Sequence, residues 1–130
     1  MIVTVSAIIF ASLSGIIILF QLGLALGLPW GKASMGGKFP GKYPPKMRIV
    51  GLVNSMVICI IIVVVLIKAN LLLPRFKSFS DIIIYFVVGF SLTATIMNII
   101  TPSKIERNIW APVAAILFVT SFIVAFVTVK

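Results

Sequence analysis

The chain has no histidine, a single cysteine, Cys59, and only two carboxylates, Asp81 and Glu106. Each shortage removes a class of chemistry. Without histidine there is no Ser-His-acid triad and no histidine-held haem, and a lone cysteine makes no intramolecular disulfide, no Cys-x-x-Cys redox pair and no zinc cluster. No residue stands out as catalytic or as a metal ligand, and no cofactor is implied. Asp81 and Glu106 are expected at the starts of successive spans, facing opposite sides of a membrane, so they cannot work as an acid-base pair. Neither lies within a long apolar run, where proton-coupled transporters keep their proton-binding group, which argues against a small proton-driven exporter. A non-enzymatic protein is the expectation.

Charge is scarce in general. Charged residues make up 10% of the 130 and hydrophobic ones 62%, where a soluble domain carries roughly 25% charged residues. The mean hydropathy of +1.30 belongs to the membrane class. A net charge of +9 would favour a nucleic-acid partner in a soluble protein. Here the lysines and arginines sit between the apolar runs, as membrane flanks do, and no nucleic acid is expected.

What is present in excess is uninterrupted oil. Residues 1–31, 49–67, 82–103 and 108–129 contain no charged side chain. A helix crosses the hydrocarbon core with about 20 apolar residues at roughly 1.5 Å each, and these runs are too long for barrel strands. They predict an all-α fold, one integral membrane domain over residues 1–130, with four transmembrane helices over about 3–28, 46–68, 81–100 and 104–129. The first run lacks the basic start and the small-x-small cleavage site of a signal peptide and is read as a span.

Local chemistry sets the expected ends. Pro29 closes span one and Pro44-Pro45 opens span two, Pro74 stops any extension of it, and Ser80-Asp81 caps span three. Ser103 and Glu106 fit the S-x-x-E capping box, with Arg107 beside them in the loop, and Pro112 would kink span four. Cys59 reads as a small buried hydrophobe.

Four spans put Lys32, Lys38, Lys42, Lys46, Arg48, Lys104 and Arg107 on one side, and Lys68, Arg75, Lys77 and Lys130 on the other. Seven against four favours the first side as cytoplasmic, with both termini outside. Trp30 and Trp110 fall at that side as interfacial anchors.

The hairpin over residues 29–48 holds four glycines, four prolines and five basic residues, with no acid. Glycine lets backbone N–H groups surround an anion and lysine adds point charge, so Lys32, Gly36, Gly37, Lys38, Lys42 and Arg48 form a candidate site for an anionic headgroup. The plainer alternative is a tight re-entry loop whose lysines obey the positive-inside bias. A P-loop is rejected, because Lys32 and Phe39 stand where it needs glycine and a hydroxyl residue.

Small residues mark expected packing faces. Ala7, Ala11 and Gly15 recur every four positions, and Gly23 and Gly27 form a G-x-x-x-G pair, on two faces of span one. Gln21, Asn54 and Asn98 interrupt the oil, each within about two turns of the cytoplasmic end of its span. They read as hydrogen-bonding glue between helices or, more sharply, as a polar pocket beneath the hairpin.

Two stretches carry a resemblance. Leu26-Gly27-Leu28-Pro29-Trp30-Gly31, followed by Met35 through Arg48, and the segment with Asn98 through Ser103, Glu106-Arg107, Trp110 and Pro112, together resemble a group of small, functionally uncharacterised four-span bacterial membrane proteins. The likeness covers about a third of the chain. It implies a bacterial cytoplasmic-membrane location and a four-helix fold, and it implies no activity.

Two functions follow. In one, the basic hairpin engages anionic lipid or another membrane protein. In the other, the chain is a small oligomeric transporter or pore that uses the amide-lined end; the oligomeric state itself is left open by the sequence.

Overall fold

The computed structural model describes residues 1–33 and 41–127, with Lys32 by its backbone alone. Gly36, Gly37 and Lys38 of the candidate anion site lie outside the described residues. Four helices account for most of the rest: α1 (Ile2–Ala25), α2 (Pro45–Lys68), α3 (Lys77–Ile100) and α4 (Lys104–Phe126). All four are long and apolar enough to cross a membrane. Single 3₁₀ turns at Gly31–Ala33 and Pro74–Phe76 interrupt the connections.

The helix ends correct several expectations. Span one does not run to Pro29. It stops at Ala25 in a Schellman motif, where Leu28 N–H donates to Gly23 O and Gly27 N–H to Leu24 O, with Gly27 at φ +90°. Only glycine adopts that backbone without strain. The end of α2 repeats the device with Asn70 at φ 62°, its N–H on Ile67 O and that of Leu71 on Leu66 O. The helix is finished at Lys68, well before Pro74. Pro45, by contrast, stands at the first turn of α2, where its missing N–H costs nothing.

Ser80 and Asp81 do not cap α3. The helix begins at Lys77, four residues before the expected start, and Ser80 Oγ donates back to Lys77 O. Asp81 instead pairs with Lys68 of α2 at 2.7 Å. The acid was drawn into an ion pair between helices, a use that sequence-local capping rules do not see. Ser103 does cap α4, accepting from the Glu106 N–H at 3.2 Å. Glu106 and Arg107 belong to the first turn of α4 and not to the loop, and Pro112 stands inside that helix.

The helices form a ring. α1 lies against α2 and α4, α3 lies against α4, and the α2–α3 contact is the least close of the four. At the end away from the hairpin, Ala7, Phe10, Val65, Ile84 and Val124 close into one core. The bundle's outside is oilier than its inside. Phe86 and Leu19 are 71% and 68% exposed, while Ser6, Ser14, Ser55, Ser91 and Ser121 are buried. In water such exposure would cost roughly 25 cal/mol for every Å² of apolar surface; in hydrocarbon it costs nothing. The small hydroxyls let helices approach, and three of the buried ones are satisfied on their own turns, Ser55 on Gly51 O (2.9 Å), Thr120 on Ile116 O (2.8 Å) and Ser121 on Phe118 O (3.1 Å). Cys59 is among the exposed residues, so the expectation that it is buried is overturned.

The glycine stripes also act differently from the expectation. A Cβ at Gly23 would collide with the indole of Trp30, and one at Gly27 would lie 2.8 Å from Arg48 Nη2. The pair seats two side chains, Trp30 of the hairpin and Arg48 from the first turn of α2, and is not a backbone-to-backbone seam. At Gly15 a Cβ would meet nothing within 4 Å, so the Ala7–Ala11–Gly15 row is not a tight seam along its length. Close helix contact is found at Gly51, whose added Cβ would lie 3.1 Å from Gln21 O.

Candidate functional site

Toward the hairpin the four helices part around a cavity of about 280 Å³. Its floor is Phe10 and Leu117, from the packed half, and its roof includes Ala33 and Tyr43 of the hairpin. Between Phe10 and Gln21 on α1 it runs eleven residues, or about 16 Å.

All three interrupting amides, Gln21 of α1, Asn54 of α2 and Asn98 of α3, line this cavity. They are not glue between helices. Asn98 Nδ2 donates to Ala94 O of its own helix at 2.6 Å. Among the described residues the side chains of Gln21 and Asn54 have no hydrogen-bond partner, and both are half-buried. Each therefore offers the cavity one carbonyl and one NH₂ group.

Three further polar residues on the wall were not picked out from the sequence. Ser14 and Ser91 are buried two turns below the amides. A signal for them exists: Ser14–Gln21 and Ser91–Asn98 are each seven apart, which puts both members on one helical stripe. Tyr43 had no such signal, because a roof residue comes from an irregular loop.

Glu106, read from sequence as a cap residue, also faces the cavity and is 8% exposed. It heads a stripe of α4 that continues through Trp110, Ala114 and Leu117 at helical spacing. The two carboxylates are thus at opposite ends of the bundle, Asp81 in the ion pair with Lys68 and Glu106 on the cavity wall.

Aromatic rings close the hairpin side. Trp30 stacks on Phe20 at 5.9 Å, Phe20 meets Trp110 at 4.8 Å, and Trp110 Nε1 donates to Ala33 O at 2.9 Å. Trp110 is therefore turned inward as a brace between α4 and the hairpin, while Trp30 keeps an exposed edge. Arg48 folds over Gly27 and donates from Nε to Tyr43 O at 3.0 Å. Of the candidate anion site, Lys42 is exposed and Arg48 half-buried. The hairpin thus brings Arg48 and Tyr43 together above the amides, with Lys42 next to Tyr43 in the chain. Comparison with protein-family models, with curated proteins and with solved structures yields no match.

Proposed function

We propose that this is a non-enzymatic membrane protein that binds an anionic lipid, its phosphate at the basic hairpin and the adjoining polar part against the amide-lined cavity. The observation that carries the reading is that Gln21, Asn54 and Asn98, from three helices, line one cavity together with Tyr43, whose carbonyl accepts from Arg48. Amides donate and accept, so they suit ester and hydroxyl groups next to a phosphate. Lys42 and Lys46 stand exposed at the same end and add attraction for negative charge. We place the hairpin on the cytoplasmic side of a bacterial cytoplasmic membrane, with the termini outside; the seven-to-four bias of basic residues and the family resemblance support this.

The pore reading has the packed half against it. Phe10, Val65, Ile84 and Val124 fill the route beyond the cavity floor in a single chain.

The test is lipid retention by purified protein, read by native mass spectrometry with phosphatidylglycerol and phosphatidylcholine supplied together. The protein should keep phosphatidylglycerol preferentially. Each basic residue near an anionic surface contributes about 1 kcal/mol, so Lys42→Gln with Lys46→Gln should weaken retention about 30-fold. Equal retention of the two lipids, or solute flux through the protein in liposomes that Asn54→Leu abolishes, contradicts the reading.

A further inference from the structure

The cavity has a side door. The wall residues contributed by α1 and α4 are buried or half-buried, whereas its exposed wall residues are Val50 and Val57 of α2 and Phe90 of α3. These three flank the seam between α2 and α3, the least closely packed pair of neighbours in the ring. That seam is fastened at the far end, by the Lys68–Asp81 ion pair and the core that includes Val65 and Ile84. Toward the hairpin no side-chain hydrogen bond joins α2 to α3 among the described residues, and the opening faces the hydrocarbon.

Resting on the lipid-binding reading above, we infer that the lipid enters and leaves sideways through the α2–α3 seam, with one hydrocarbon chain held there. Size supports a partly enclosed ligand. A cavity of about 280 Å³ lies below the roughly 300–1,000 Å³ of pockets that enclose a whole drug-sized molecule. A two-chain lipid must leave much of itself outside, and the seam is where the wall is exposed. Polarity runs the same way as in a leaflet. The amides stand toward the hairpin, and Ile58 and Ile61 of α2 follow one and two turns deeper. A lipid with its phosphate at Lys42 and Lys46 would bring its ester region to the amides and its first methylenes to these isoleucines. The upper route is obstructed by the Trp110–Ala33 brace and the buried Tyr43.

Plugging the door tests this. Val57→Trp and Phe90→Trp narrow the seam and leave Lys42, Lys46 and the amides unchanged. Each should lower phosphatidylglycerol retention at least about tenfold, while Ile60→Trp, exposed on α2 but off the cavity wall, should leave it as in the parent. Soluble glycerol phosphate, which has the headgroup chemistry without a chain, should fail to displace the lipid. On the unaltered protein, phosphatidylglycerol with a photoreactive group in its chain should crosslink preferentially to α2 and α3 near Val57 and Phe90, so folding of a variant is not at issue. Unchanged retention in both tryptophan variants, or crosslinks spread evenly over α1 and α4, overturns the side entry. If retention still falls with Lys42→Gln and Lys46→Gln in that case, the lipid-binding reading survives. If the parent protein shows no preference for phosphatidylglycerol, that reading fails first.

Discussion

In the half of the bundle away from the hairpin, Val65, Ile84 and Val124 are almost wholly enclosed and the helices are joined by Lys68 and Asp81. In the hairpin half the same four helices separate around Gln21, Asn54 and Asn98. The difference teaches what each half is for. Both halves are oily outside, as exposed Ile82 and Ile96 show, so outer hydrophobicity gives no reason for one to close and the other to open. Packing decides, and packing in the hairpin half is interrupted by side chains that need a polar partner.

The comparison can be broken most severely by truncation. Ile84→Ala removes a fully buried side chain from the closed half and should destabilise the bundle by roughly 2–5 kcal/mol in detergent unfolding. Ile58→Ala, beside space that already exists, should cost only about 1 kcal/mol. Equal losses would mean that the two halves are packed alike. A smaller effect is expected at the glycines. Gly23→Ala forces the Trp30 indole off its seat, costing about 1–3 kcal/mol and shifting tryptophan emission. Gly15→Ala, with open space around it, should be neutral or stabilise by up to about 1 kcal/mol.

Next comes Ser103→Ala, which deletes the α4 cap and should cost about 1 kcal/mol in the same unfolding measurement. The least effect is predicted for Asp81→Asn. Its pairing with Lys68 is part-exposed, so the loss should be about 0.2–1 kcal/mol and should shrink as salt is raised. A large, salt-insensitive loss would show that this pair holds the closed half together.

How much of this was legible from sequence depends on the kind of signal. The four apolar runs, Pro45 at a helix start and the Ser103 cap are local features, and local chemistry placed them. The positions of Gln21, Asn54 and Asn98 near one end followed from counting turns. Which way Cys59 faces did not, because a run that is oily all round has no amphipathic stripe to mark its inner face. Small hydroxyl residues are the better marker: Ser6, Ser14, Ser55, Ser91 and Ser121 all point inward. Ser12 and Thr93 are exposed, and Thr93 meets its need on Gly89 O of its own helix. The Gly23–Gly27 pair misled because its spacing fits a helix-helix seam while its environment is Trp30 and Arg48, brought back by the hairpin. Asp81 misled likewise, since Lys68 reaches it only after the chain has turned.

The central claim, an open hairpin half on a closed far half, is tested most directly by thiol reactivity in a Cys59→Ala background. Ser14 and Ser121 are 2% and 0% exposed, but only Ser14 borders the cavity. With a small membrane-permeant maleimide, Ser14→Cys should be modified readily. Ser121→Cys should react about a hundredfold more slowly, because reagent reaches it only through a local opening of the packed core. Equal rates at the two positions would contradict the account.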